Sequence, residues 1–159
     1  MKKLIGVLFF TIILSATVHA HSRNNLIVLK HETSLQNADF GNLVTMLVNG
    51  LKPSAFTKDW KTKSVVFMNK IKTQDSKDLT GSASTLFELA KYLNPNAFED
   101  SWKTQKGAFL NGVSNVKNAG DLSKLFSLLL SNISPKYFTK EFKSQVDSLK
   151  MSIGKLGSN

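Results

Sequence analysis

The feature that most limits how this chain can fold is an internal repeat built around its three prolines. Pro53, Pro95 and Pro135 lie 42 and 40 residues apart, and the residues around them recur in register. An apolar residue stands two before each proline (Leu51, Leu93, Ile133) and a phenylalanine three after (Phe56, Phe98, Phe138). An aromatic follows at seven after (Trp60, Trp102, Phe142) and a lysine at eight after (Lys61, Lys103, Lys143). A chain that repeats one unit three times is expected to build the same supersecondary element three times and to bury each copy against its neighbours.

The period inside each unit is helical. In the first, Leu35, Phe40, Leu43, Val44, Leu47, Val48 and Leu51 follow i, i+3/i+4 spacing, which lines them along one stripe of a helix. Asn49-Gly50 and then Pro53 mark its end, and the helical flanks argue against reading Asn-Gly as a hairpin turn. A proline has no N–H to lose at the first helical position, so the second helix of each unit is expected to begin at its proline. Asn94 and Ser134 are suited to cap such helices, and Lys52 less so. Counted from the proline, positions +3, +7, +14 and +18 are Phe56, Trp60, Phe67, Ile71; Phe98, Trp102, Phe109, Val113; and Phe138, Phe142, Leu149, Ile153. On a helix these four positions fall within about 60° of one another, a single narrow seam. Gly107 and Gly112 interrupt the middle unit, which implies a kink or the close approach of a neighbouring helix.

Polar stretches at 73–81 and 117–121 join the units. Asp78 and Asp121 read as N-caps there, and Asp39 holds the same place in the first unit, whose helix is expected to start earlier. The tail after Gly154 is small and polar and is expected to be irregular. The prediction is an all-α domain over residues 34–159: three tandem helix-turn-helix units of about 40 residues (about 34–74, 75–117 and 118–156), six helices in all. In period and helix-pair content this resembles HEAT or armadillo arrays, a likeness of architecture that implies units stacked side by side. A closed six-helix bundle would use the same seams, and the stack is slightly preferred.

The first 33 residues read differently. Lys2 and Lys3 precede an apolar run that closes on Val18-His19-Ala20, the pattern of a cleavable signal over residues 1–20. That run is shorter than the ~20 residues a bilayer span needs, so export to the periplasm or beyond is expected, with no transmembrane segment in the processed chain. Residues 21–33 are expected to be an extended or frayed lead-in, since the apolar stretch 26–29 stands alone with no partner strand in the pattern. The chain has no cysteine, so an exported domain would depend on its packed core alone. Lys far outnumbering Arg, together with the missing cysteine, fits a bacterial envelope.

The formal charge is +10 and falls to +8 once Lys2 and Lys3 are removed; Arg23 is the one arginine. Lysine is a compact, hydrated point charge, whereas bidentate phosphate recognition favours arginine. The balance therefore points to loose attraction to anionic surfaces rather than to specific reading of nucleic acid.

Catalysis finds little to work with. Past the signal the histidines are His21 and His31, both in the lead-in, and the sequence has no HExxH, CxxC or GxSxG motif and no phosphate-binding glycine loop. Glu99-Asp100, expected in the first turn of a helix, are adjacent and so point about 100° apart, which does not suit a shared acid–base site. No metal or organic cofactor is expected.

Binding fares better. In a side-by-side stack Lys61, Lys103 and Lys143 would form a ladder at the interhelical spacing of about 8–10 Å, each laying its methylenes on Trp60, Trp102 or Phe142. Such a ladder suits a polyanion: an acidic polysaccharide, lipid head groups or DNA. Trp60 and Trp102 could stack on a sugar, although their place on the seam favours burial. The expected function is a non-catalytic binding or structural module for a protein partner or an anionic polymer. A membrane-active toxin or antimicrobial built from basic amphipathic helices is the alternative.

Overall fold

The computed structural model describes residues 39–75 and 77–157; the expected signal, the lead-in and Leu35 lie outside the described residues. The fold is all-α. The helices are α1 (Phe40–Gly50), α2 (Trp60–Thr73), α3 (Leu79–Tyr92), α4 (Trp102–Ser114), α5 (Ala119–Ser131), α6 (Lys140–Lys143) and α7 (Val146–Leu156). A three-residue 3-10 turn lies at each proline: Pro53–Ala55, Pro95–Ala97 and Pro135–Tyr137.

The apolar periodicity fills the core as expected. α1 buries Phe40, Leu43, Val44, Leu47 and Val48, and α5 buries Leu122, Leu125, Phe126, Leu129 and Leu130. Phe40 meets Phe126 edge-on at 5.9 Å, which ties these two helices together. The +14 and +18 positions are buried at Phe67, Ile71, Phe109, Leu149 and Ile153, while Val113 packs against the core half-buried. Polar groups inside the core are paired. The Thr85 hydroxyl donates to Gln74 Oε1 at 2.7 Å, Gln74 Nε2 donates to Ser82 Oγ at 2.9 Å, and Ser123 Oγ donates to the Ile153 carbonyl at 2.7 Å.

The prolines do not start α-helices. Each opens a 3-10 turn of three residues, after which the +3 phenylalanine is extended, with φ/ψ of −104/154, −95/153 and −77/142 at Phe56, Phe98 and Phe138. The long second helices begin at the +7 tryptophan, Trp60 and Trp102; in the third unit Thr139 Oγ1 accepts from Phe142 N–H at 3.1 Å and starts the helix earlier, at Lys140.

Extension of the phenylalanines is caused by what they pair with. Phe56 forms an isolated antiparallel bridge with Leu93, Phe98 with Ile133, and Phe138 with Leu51. Each bridge joins the +3 residue of one prolyl segment to the −2 residue of the next, and the third joins the last segment to the first. Two backbone hydrogen bonds flank every bridge. The N–H of the −1 residue donates to the preceding segment's +2 carbonyl: Asn94 to Ala55, Ser134 to Ala97 and Lys52 to Tyr137, each at 2.8 Å. The N–H of the +4 residue donates back to the −3 carbonyl: Thr57 to Tyr92 (2.8 Å), Glu99 to Asn132 (2.9 Å) and Thr139 to Gly50 (2.9 Å). A side-by-side row would keep the first and third segments apart, whereas here they pair directly.

Several boundaries differ from expectation for local reasons. Asn118, not Asp121, caps α5, its side chain accepting from Asp121 N–H at 2.9 Å. Asp78 caps α3 and Asp39 caps α1, so the first helix starts at Phe40 among the described residues. Cap-to-proline spacing is thus 14, 17 and 17 residues, so the first helix of each later unit is set about one turn further from its proline than in the first unit. Asn94 caps its turn through Asn96 N–H, but Ser134 makes no such bond. Glu99 and Asp100 precede α4 instead of lying in its first turn. The third unit's second helix is split at Ser144-Gln145, where Gln145 N–H turns back to the Phe142 carbonyl at 2.8 Å, giving seven helices among the described residues where six were expected. The last of them runs to Leu156, two residues into the tail expected to be irregular after Gly154.

Glycines report on the packing. A Cβ on Gly112 would lie 2.9 Å from Leu125 Cδ1, so close approach of α5 accounts for that residue, while one on Gly107 would meet nothing within 4 Å. At Gly50 the ring of Phe142 occupies the space a Cβ would need. Gly107→Ala is therefore expected to stabilise the protein by about 1 kcal/mol through helix propensity. Gly50→Ala should destabilise it by about 1–3 kcal/mol through overpacking. Urea unfolding of the two variants checks both signs, and a neutral Gly50→Ala would show that Phe142 is not seated on the end of α1.

Candidate functional site

The repeated aromatic–lysine pairs sit just after the prolyl circuit. Trp60 stacks on Phe56 with centroids 4.5 Å apart and planes 8° from parallel, and Trp102 stacks on Phe98 at 4.5 Å and 6°. Phe142 meets Phe138 edge-on instead, at 5.2 Å. Each +7 aromatic also reaches its own helix's +14 residue or the −3 residue of the next unit. Trp60 lies 5.4 Å from both Phe67 and Tyr92, Trp102 lies 5.2 Å from Phe109, and Phe142 covers Gly50. Both tryptophans are half-buried against the core. The edge of Trp60 lines an open groove of about 350 Å³ between α1 and α2, together with Val48, Leu51, Pro53 and Met68.

At the equivalent place in the third unit, Asn132 is buried and fully engaged. Its Oδ1 accepts from Ser101 Oγ and its Nδ2 donates to Gln105 Oε1, each at 2.9 Å, so it grips α4 on either side of Trp102. The Asn132-Ile133-Ser134 sequon is therefore occupied in packing.

All three lysines are exposed, Lys61 and Lys103 in the first turns of α2 and α4 and Lys143 at the end of α6. Their surroundings differ. Lys103 forms an ion pair with Asp100 at 2.9 Å, which holds the Asp100 carboxyl below the usual carboxylate range through hydrogen bond and charge, and raises Lys103 in return. Lys61 and Lys143 form no ion pair among the described residues. The cation–π contacts are made by other lysines, Lys91 over Phe87 at 5.6 Å and Lys136 over Tyr137 at 5.3 Å. Nothing bonds the three predicted lysines to one another.

Sequence reasoning passed over the outer face of α2. Val65 and Val66 are 67% and 69% exposed, the most exposed large apolar side chains among the described residues. They stand one and two residues before buried Phe67, which at 100° per residue turns them out of the core. That offset from the seam was readable in the sequence. A second groove, about 560 Å³ and open, lies between α4 and α5, with Asn111, Gly112, Asn115, Lys124 and Leu125 on its walls.

Among the described residues no group of three or more His, Cys, Asp or Glu could hold a metal ion, and no helix is long and apolar enough to cross a membrane. No known family model, curated protein or solved structure matches the chain.

Tyr92 is the group whose ionisation couples to this aromatic cluster. Burial first, then the nearby Glu88 carboxylate accepting from its hydroxyl at 3.2 Å, raises its pKa. A raised phenol favours the neutral form in the folded state. Its stabilising contribution is therefore complete below the ordinary tyrosine value of about 10 and is lost as pH rises through the folded value. In an ultraviolet titration Glu88→Gln should bring Tyr92 ionisation to lower pH, and an unchanged curve would show that Glu88 has no part in it. Trp60→Ala and Trp102→Ala should each cost about 2–3 kcal/mol, short of the 3–5 typical of a fully buried large aromatic. Thermal unfolding measures this, and an unchanged midpoint would mark the tryptophans as free binding platforms.

Proposed function

We infer that the protein is a small exported module of three tandem helix-turn-helix units closed into a circuit. In this reading it acts without catalysis, by binding a protein partner or an anionic polymer of the cell envelope or its surroundings. One observation supports this above others: the repeated motif divides into a packed half and a displayed half. Its prolines, phenylalanines and tryptophans are taken up in pairing and core packing, while Lys61, Lys103 and Lys143 stand in solvent. Among the described residues no lysine, aspartate or glutamate is buried, so the charge acts at the surface.

A closed circuit changes what the lysines offer. In this reading the circuit would carry them round the molecule as three basic sectors instead of a ladder along one face, and among the described residues Lys103 alone of the three has an ion-pair partner, Asp100. Attraction of this kind is long-ranged and easily screened. On immobilised heparin the protein should be retained at about 50 mM salt and largely released by about 200 mM. Replacing Lys61, Lys103 and Lys143 together by Gln should lower the slope of log affinity against log salt by about 2–3. Absence of retention at the lower salt would remove the anionic polymer and leave the protein partner.

A further inference from the structure

The three outer helices are not equivalent, and the difference lies on the first. α2 buries only Phe67 and Ile71, and its remaining surface carries four lysines, Lys61, Lys63, Lys70 and Lys72, with no acidic residue inside the helix. On a helical projection Lys61 and Lys72 fall within about 40° of Val65, while Lys63 and Lys70 fall within about 60° of Val66. Two bare valines are thus set among four cations. Lys70 is drawn to Glu88 of α3 at 2.7 Å; Lys61, Lys63 and Lys72 have no ion-pair partner among the described residues. Asp59 and Asp75 stand just outside the two ends of α2, exposed and without ion pairs there.

The other units carry this combination only singly: Leu110 on α4 and Met151 on α7 are each exposed about 40° from a lysine, Lys106 and Lys155, with no ion-pair partner among the described residues, one apolar side chain in place of two. On α4 the first-turn Lys103 is matched by Asp100, and on α7 Lys150 is matched by Asp147 at 3.3 Å, beside the exposed Met151. β-Branched valines side by side in solvent are poor helix formers and gain nothing from packing. Their exposure beside unneutralised charge suits a ligand that is anionic and apolar at once.

We propose that the outer face of α2 docks on an anionic lipid surface, Lys61, Lys63 and Lys72 meeting the head groups while Val65 and Val66 enter the head-group/acyl boundary. A soluble polyanion would use the lysines and leave the valines bare. A helix lying in the plane of a charged interface uses both, since its polar face carries Lys and its apolar residues sink only a short way. No described helix is long and apolar enough to cross a membrane, which suits contact from the surface. This deepens the anionic-partner reading above and rests on it.

The test is co-sedimentation of the full chain with vesicles of phosphatidylcholine alone and of phosphatidylcholine with phosphatidylglycerol, with heparin retention measured on the same proteins. Binding is expected to the anionic vesicles only. Val65→Ser with Val66→Ser should weaken it about tenfold while leaving heparin retention unchanged, because two apolar contacts are lost and no charge is. Lys61→Gln, Lys63→Gln and Lys72→Gln together should abolish it, whereas Lys103→Gln with Lys143→Gln should change it less than about twofold. Circular dichroism confirms that each variant folds; all of these positions are exposed. Heparin retention without vesicle binding overturns the lipid surface and leaves the broader anionic-partner reading standing; failure of both sinks the two together. Vesicle binding unaffected by the valine pair reduces the contact to plain charge and also overturns the proposal.

Discussion

Six backbone hydrogen bonds, two between each pair of prolyl segments, are the constraint on which the rest of the molecule depends. A helix leaves its last carbonyls without partners in its own ladder. The −3 carbonyls, from Gly50 and Tyr92 at the ends of α1 and α3 and from Asn132 just past α5, receive theirs from the preceding segment's +4 N–H. The proline itself has no N–H to leave unsatisfied. Three of the six circuit bonds therefore finish a helix and join two units at once. Because both partners are backbone groups, the side chains at +2 and +4 are free to vary, and they do: Ala55, Ala97 and Tyr137; Thr57, Glu99 and Thr139. The bridge residues at −2 and +3 carry the hydrophobic burial, and those positions stay apolar.

Closure also sets how the stability is shared. In an open row of repeats each unit touches only its neighbours, and stability is close to a sum over units. Here Leu51 pairs with Phe138 and α1 receives Phe142 over Gly50, so the first unit completes its packing only when the third is in place. Contacts this far apart in sequence carry a large loop-closure cost before they stabilise anything. Loss of one segment is thus felt by both others.

The sequence showed the register of this arrangement but not its geometry. Phenylalanine at +3 projects onto the same helical seam as +7, +14 and +18, so periodicity alone could not separate it from a helix that starts at the proline. Proline suits the first position of a 3-10 turn as well as of an α-helix, and both readings obey its fixed φ. The distinguishing signal was the polar residue placed before the true helix: Asp59 before Trp60, Ser101 before Trp102 and Thr139 before Lys140. All are N-cap residue types. At the site, the exposure of the three lysines was readable from their place at the border of the seam. The Asp100 partner of Lys103 stands three residues before it, a spacing at which side chains meet, so that pairing too was readable in the sequence. What no local pattern could show is that the −3 residue of one unit faces the +7 aromatic of the unit before it. Gly50 leaves room for Phe142 to bury itself, while Tyr92 holds Trp60 half in solvent.

Comparison among the three units then separates what folding needs from what it leaves open. The bridge positions at −2 and +3 stay apolar in all three, and the variation at −3 is matched by what faces it, as with Gly50 under Phe142. Outside them the units diverge. Charge on the second and third outer helices is met in part by carboxylates one turn away, Asp100 for Lys103 and Asp147 for Lys150, which lowers its reach into solvent. On α2 the lysines around Val65 are left unmatched, at a position where smaller or more polar residues would cost the fold nothing. Since the other two units carry one such exposed apolar residue each, Leu110 and Met151, the fold does not require the valine pair, and the physical argument for function is strongest where the repeat stops repeating.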